Sequence, residues 1–446
     1  MALTLRHKLK VTDYLKACVR KLIYTLVAVF PRSNHKAVFG SYKDSFSDNS
    51  KYLYLHWQHN QFIRAIWISG NKDVVRQRTE FGQEAYYRWS PKGIFHCLSA
   101  KYYFYNSYIG DINQWFANGA TKINLWHGLP MKKIEFDINN GPMAEVFNPQ
   151  CRLNQFKQWL ISHQQLIKPD LMLSPSPLMD DIFSSAFRLF PTNINDSVTD
   201  FPPNIGAHST ELASDNTQSS ALVRAGNPRT DYYHSYPKQQ TDLGYLINDS
   251  VTGTNSSSVT PPQYILYAPS WRDNKQQNNP YLQAFDWQKL SDHLVQNNQI
   301  LLLRLHPNEI ALAADFVDFP NIVNISHLED VYGILGQIHL LITDYSSLFI
   351  DALPLDTAIC FYRFDEQDYL QDCRDMYEYA NKLPEFAPIC ESFEQLLEQL
   401  QPQAISGQTE LYRQVYKDVS QQFWGKDGIN RGSAFSALET ALKQQR

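Results

Sequence analysis

Four short segments concentrate the side chains that can handle phosphate. In HLLITDYSSLFID, residues 339–351, a buried-strand run stops at Thr343-Asp344, and Ser346 and Ser347 then open a predicted helix. Backbone N–H groups at a helix start, together with two hydroxyls, can hold an anion at the carboxyl end of a parallel strand, where open α/β sheets bind ligands. Ordinary N-capping by Asp344 or a serine is the plainer alternative. In LRLHPN, residues 303–308, Arg304 and His306 lie two apart near a strand end and so share one face. A guanidinium grips phosphate oxygens in pairs, and an imidazole can give or take a proton; a salt bridge and a structural histidine are the alternative. In KINLWHGLPMKK, residues 122–133, His127 stands beside Gly128, which permits close approach. On a separate domain facing a phosphate site, such a histidine is placed to act as general base for an attacking hydroxyl; otherwise it is a core histidine. YAPSWRD, residues 267–273, adds Ser270, Arg272 and Asp273 as a further potential phosphate grip.

The elements around these segments have the rhythm of parallel α/β domains. AVFGSY, FIRAIWIS, KYYFYNS, KINLWHG and LMLSPS are strand-like runs of the first half; QYILYAPS, QILLLRLHP, NIVNIS, HLLITDYSS and TAICFY are those of the second, with helix-length segments between them. The reading is a helix over 1–36, a first domain over 37–240 with a polar insertion at 192–220, and a second domain over 241–446 with a polar insertion at 248–262. Both insertions are rich in Asn, Ser, Thr, Asp and Pro.

Composition narrows the function classes. The 446 residues are 43% hydrophobic and carry a net charge of −5, which supports full cores and argues against a surface built for nucleic acid. Six scattered cysteines without CxxC spacing suggest neither a zinc site nor a disulfide framework. The one strong charge asymmetry is in residues 1–36, where Arg6, Lys8, Lys10, Lys16, Arg20, Lys21, Arg32 and Lys36 face a single acid, Asp13. Leu5, Leu9, Leu15, Val19, Leu22, Ile23 and Leu26 fall in one arc of that predicted helix. The arc suits either an anionic membrane surface or the protein's own core. The apolar run Leu22–Phe30 is far shorter than the roughly 20 residues of a spanning helix, and it lacks a cleavable signal's small-residue flank. The expectation is a soluble or peripheral protein.

In order and approximate spacing, WHGLPMKK, YAPSWRD, RLHPN and ITDYSSLFID resemble the CDP-glycerol glycerophosphotransferase family of teichoic-acid and capsule polymerases. SYKDSFSDNSKYLY (41–54), GNPRTD (226–231) and KDGINR (426–431) extend the likeness over roughly residues 37–435. Leu129 stands where the family usually has threonine, and Glu135 where it usually has glycine.

The resemblance implies an α/β fold of glycosyltransferase type B, two Rossmann-like domains facing a cleft, with an N-terminal amphipathic helix. It implies transfer of glycerol phosphate or ribitol phosphate from a CDP-polyol to a lipid-linked or polymeric acceptor, with release of CMP, at the cytoplasmic face of a bacterial membrane. His127 and His306 are the expected catalytic residues, and Ser270, Arg272, Arg304, Asp344, Ser346 and Ser347 the donor-binding ones. No clear carboxylate pair for magnesium is legible, so no obligatory metal is expected; Mg2+ stays possible through Asp344 and Asp351. A nucleotide-sugar transferase and a non-catalytic membrane scaffold are the rival readings.

Overall fold

The computed structural model describes residues 10–141, 143–189, 221–236, 243–244, 261–272, 279–306, 309–316, 319–328, 330–355, 357–367, 369, 375–382, 385–425 and 433–444. The first sheet holds β1 (Ser33–Phe39), β2 (Arg64–Ser69), β3 (Ala85–Tyr87), β4 (Ala100–Tyr105), β5 (Thr121–Asn124), β6 (Leu171–Ser174) and β7 (Leu222–Arg224). The second holds β8 (Gln263–Tyr267), β9 (Gln299–Leu303), β10 (Ile322–Asn324), β11 (Leu340–Thr343), β12 (Ala358–Tyr362) and β13 (Ile389–Cys390). Six helices bear on the site and its support: α1 (Val11–Leu26), α2 (Asp48–Asn60), α3 (Arg152–Ile161), α4 (Pro228–Ser235), α5 (Leu348–Ala352) and α6 (Ser433–Gln444).

Both sheets are parallel, in the orders β3-β2-β1-β4-β5-β6-β7 and β10-β9-β8-β11-β12-β13. Each order reverses direction once, between β1 and β4 and between β8 and β11. Loops leaving the carboxyl ends of strands at such a reversal diverge and leave a crevice, where doubly wound sheets bind ligands. Period-two alternation dresses both faces of the first sheet. Phe39, Trp67 and Phe104 point to one layer with Tyr54 and Trp57 of α2, while Val38, Ile66 and Tyr103 point to the other with Cys97. The domains share an apolar cluster that includes Trp126 and Leu129 of the first and Phe349, Phe386 and Phe423 of the second.

The expected strand runs all contain strands. The short edge strands β3, β7 and β13 were not foreseen, because two or three residues leave too little pattern to read. The helix after Ser346-Ser347 is only five residues long before a 3-10 turn. The second domain does not extend to the chain's last helix as expected: α6 packs on the first domain, with Leu438 and Leu442 fully buried beside Trp57, Phe62 and Tyr232. Its first turn is held by Asp231, whose Oδ2 accepts the Ala434 N–H at 2.7 Å, and Glu439 accepts the Trp57 indole N–H at 3.1 Å. The expected insertion at 192–220, nearly all of that at 248–262, residues 1–9 and the whole KDGINR motif at 426–431 lie outside the described residues.

The apolar arc of α1 faces outward. Ala17 is the helix's buried residue, whereas Leu15, Leu22 and Leu26 are 65%, 60% and 62% exposed. The helix docks through other contacts: Arg20 donates to the Leu160 carbonyl at 2.7 Å, Lys21 lies over the Trp159 ring, and Tyr24 meets His163 edge-on.

Leu438→Ala would open a cavity in the first domain's core. The expected loss is about 2–5 kcal/mol, read as a lower denaturation midpoint of the full chain.

Candidate active site

The loops from both sheet reversals meet in a cleft of about 720 Å³. From the first domain come the loop after β1, the start of α2 and the turn after β5; from the second come the loops after β8, β9, β10 and β11.

The turn carrying His127 is held from several directions. Trp126 sits at φ 54°, left-handed backbone rarely taken by a bulky residue, so the fold must impose it. Its N–H donates to Asn124 Oδ1 at 2.8 Å, and Asn49 of α2 donates to the carbonyls of Leu125 and Trp126 at 3.2 and 2.9 Å. His127 Nδ1 lies 3.1 Å from the Asn106 carbonyl. A carbonyl only accepts, so Nδ1 carries the hydrogen and Nε2 is the basic atom. Burial pushes the His127 pKa below its ordinary 6.5, with nearby Asp48 working against that shift. Asn106 is fixed in turn by Asp111, whose Oδ2 accepts the N–H of Asn106 at 3.2 Å and of Ser107 at 2.8 Å.

Across the cleft, Arg304 and His306 project from the end of β9, and Ser346 and Ser347 from the loop after β11. Arg304 is largely buried, its Nε has no hydrogen-bond partner, and no carboxylate pairs with it among the described residues. An enclosed, unpaired guanidinium is costly unless an anion arrives to meet it. His306 stacks on Trp271 at 5.7 Å between ring centres. Burial, then the charges of Arg304, Lys43 and Lys132, hold its pKa down at about 4. A Cβ on Gly128 would come within 3.2 Å of Ser347 Oγ, so the missing side chain lets the His127 turn close onto the serine loop.

Two expected donor ligands serve another purpose. Arg272 is bound to both oxygens of Asp365, at 2.9 and 2.7 Å, and to Asp344. Burial opposes its charge, but Asp344 and Asp365 more than offset this and raise its pKa. Asp344 also accepts the N–H groups of Ser270 at 2.7 Å and Tyr345 at 2.5 Å. Neither Arg272 nor Asp344 lines the cleft; they tie the loops after β8 and β11 together. A strand-end Arg and a Ser-rich loop read alike in sequence whether they face a ligand or each other, and only the second strand's register decides. Ser270 does line the cleft. Of the carboxylates considered for magnesium, Asp344 is bonded to Arg272 and Asp351 to Arg229. No cluster of three metal-type ligands occurs among the described residues.

The residue missed in sequence is Arg229, in the GNPRTD segment, which is fully buried. Its Nη1 donates to Asp48 Oδ1 at 2.6 Å and to the His127 carbonyl at 3.0 Å, and its Nη2 and Nε donate to the two oxygens of Asp351 at 2.7 and 3.3 Å. The guanidinium also lies 4.1 Å from the Tyr332 ring centre. It therefore joins the His127 turn to α5, directly behind Ser347. Glu135 has φ 47°, which explains why glycine is usual there; buried Glu135 accepts from Tyr108 at 2.9 Å.

The family model described as CDP-glycerol:poly(glycerophosphate) glycerophosphotransferase matches residues 22–197 and 207–430. The chain is 26% identical over 399 residues to a teichoic acid poly(glycerol phosphate) polymerase of Bacillus spizizenii, covering 85% of this chain and 86% of that protein. It is 25% identical over 401 residues to a teichoic acid glycerol-phosphate transferase of Staphylococcus aureus, covering 87% and 90%. In fold it is similar to the wall teichoic acid polymerase TagF, with a TM-score of 0.68, 20% identity and 98% of both chains covered.

Arg304→Ala is expected to weaken CDP binding by about 1.5–3 kcal/mol, the worth of a hydrogen bond to a charged group. Calorimetric titration with a folded variant checks this. Arg272→Ala, by leaving Asp344 buried and unpaired, should instead lower stability by about 3–5 kcal/mol. An anion beside His306 must raise its pKa from about 4, so binding takes up protons. CDP-glycerol, whose pyrophosphate diester does not titrate near neutrality, should therefore bind more tightly as pH falls from 7 to 5, and His306→Asn should flatten that dependence.

Proposed function

The chain belongs to the CDP-glycerol:poly(glycerophosphate) glycerophosphotransferase family, and from that premise we propose that it transfers a polyol phosphate from a CDP-polyol to an acceptor hydroxyl, releasing CMP. The observation that carries the reading is the apposition of the His127 turn to Ser347 at Gly128, opposite the unpaired Arg304. It sets a neutral base and an anion-binding wall on two sides of one cleft.

In this reading the pyrophosphate lies along Arg304, His306, Ser346 and Ser347. The acceptor oxygen attacks the phosphorus that bears the polyol and gives its proton to His127 Nε2. The bond from that phosphorus to the bridging oxygen breaks, and the electron pair leaves with CMP. Phosphoryl transfer asks little covalent chemistry of a protein beyond positioning and charge stabilisation. Neutral His306 can still donate one N–H to the departing phosphate. Ser270 completes the donor side of the wall.

The same reading places the protein at the cytoplasmic face of a bacterial membrane. No helix among the described residues is long and apolar enough to cross a bilayer. The support is the outward arc of α1, continued by exposed Leu153, Phe156 and Trp159 of α3, against which α1 rests. An arc meant for the protein's own core would have been buried. Apolar side chains of this kind, rimmed by Lys10, Lys16 and Lys21, suit the interface of an anionic bilayer.

His127→Ala is expected to cut turnover by about 10²–10⁴-fold with donor binding nearly intact. In the parent enzyme, the rate limb set by His127 should lie below pH 6.5, leaving the rate level from pH 7 upward. The decisive assay offers CDP-glycerol, CDP-ribitol and several nucleotide sugars with an acceptor: CMP release only from a CDP-polyol is the expected result, and turnover of a nucleotide sugar alone would replace the reading. For the membrane, Leu22→Asp combined with Leu26→Asp should reduce sedimentation with anionic vesicles while sparing CDP binding.

A further inference from the structure

Two adjacent lysines follow the His127 turn, and the fold uses them differently. The segment is strand-like there, with Lys132 bridging Met376 of the second domain, so neighbouring side chains leave it on opposite sides. Lys133 turns to a carboxylate, its Nζ lying 3.7 Å from Asp375 Oδ2. Lys132 turns into the cleft. Among the described residues its ammonium meets no carboxylate; it donates to the neutral Tyr369 hydroxyl, 2.5 Å away. Its charge is felt at His306, whose pKa it helps to hold down, so it shares the space of the donor wall.

Tyr369 is itself held fast. Its ring is buried, stacks on Tyr345 with ring centres 4.0 Å apart, and has the Arg272 guanidinium 5.0 Å from its centre. Tyr345 directly precedes Ser346. The Lys132 ammonium is thus fastened at the foot of the serine loop by a contact that needs no anion. A lysine ordered before the substrate arrives loses little further freedom when it meets a negative charge. Lys132 also follows His127 on the same short segment, and both line the cleft. The phosphorus under attack must lie beside the acceptor oxygen that His127 deprotonates, so of the donor's two phosphates the polyol-bearing one falls to this segment.

We infer that Lys132 is a further catalytic residue, its ammonium held on the Tyr369 hydroxyl and touching the phosphoryl group in transit. The inference rests on the transfer reading above and deepens it. The acceptor oxygen bonds to phosphorus and its proton goes to His127 Nε2; the bond to the bridging oxygen breaks, and its electron pair leaves with CMP. Lys132 keeps its proton throughout. It is a fixed charge set where negative charge redistributes over the oxygens of the moving group, so its effect falls on rate more than on nucleotide binding. Tyr369 is a positioning residue that acts through Lys132.

Turnover and binding together test this. The full chain is given CDP-glycerol with octyl phosphoglycerol or octyl glyceryl ether, whichever the parent enzyme uses as acceptor, and CMP release is followed. CMP and CDP-glycerol are titrated calorimetrically. Lys132→Gln is expected to lower kcat about 10²–10³-fold, the usual loss when one preorganised partner of developing charge is removed, with CMP affinity unchanged. Lys132→Arg, which keeps the charge, should recover part of the rate. Tyr369→Phe should lower kcat by itself yet add almost nothing to Lys132→Gln, whereas a separate structural role would make the two losses multiply. An unchanged kcat in Lys132→Gln, equal losses in Lys132→Gln and Lys132→Arg, or a fall in CMP affinity as large as that for CDP-glycerol would each overturn the inference, the last by making Lys132 a nucleotide ligand. These outcomes leave the transfer reading standing. A parent enzyme that releases CMP from no CDP-polyol refutes that reading, and the role of Lys132 falls with it.

Discussion

The site depends on one buried guanidinium. Arg229 answers Asp48 from the first domain and Asp351 from the second, and still reaches the His127 carbonyl. Burying three charged groups is expensive, and breaking such an arrangement by removing one partner costs about 3–5 kcal/mol because another charge is left stranded. The geometry makes that cost useful. Asp351 lies one turn beyond Ser347, and Asp48 begins α2, whose Asn49 holds the His127 turn. Any shift of one wall against the other must stretch a charge-assisted bond in a medium of low dielectric.

Around that bolt, the cleft divides its labour by domain. The first domain offers the His127 imidazole, its pKa lowered by burial and its tautomer fixed by the Asn106 carbonyl, with Asp111 behind it. The second offers cations and hydroxyls. A second seam closes the far side: Lys133 N–H donates to the Asp375 carbonyl at 2.8 Å, Tyr377 N–H to the Met131 carbonyl at 2.9 Å, and Tyr379 hydroxyl to the Pro130 carbonyl. The segment after His127 is thus paired, strand-like, with the second domain.

Much of this was legible in the chain, and the reasons for success and failure are physical. Long apolar runs that end in Gly, Ser, Asp or His mark central parallel strands and their carboxyl ends, so the meeting of His127, Arg304, His306, Ser346 and Ser347 in one cleft could be foreseen from spacing. Arg272 and Asp344 were read as ligands because sequence shows that a charged group stands at a strand end, not which neighbour it meets there. Arg229 was quoted without a role because its partners lie 181 and 122 residues away. The outward turn of α1 was undecidable for a similar reason: an apolar arc is the same pattern whether lipid or protein will cover it.

The return of α6 to the first domain governs how the chain comes to fold. Leu438 and Leu442 complete a core whose other walls are built from residues 37–125 and a few later strands. At ordinary synthesis rates, the ribosome spends roughly 15–60 s between delivering β5 and delivering α6. Through that interval Trp57 and Phe62, at the edge of the first domain's core, lack the cover that α6 brings, while the second domain is free to finish first. Contacts this distant in sequence also slow folding, since the loop must close before any reward is gained. The nascent protein is therefore most exposed to aggregation, and most dependent on chaperones, late in its synthesis rather than early.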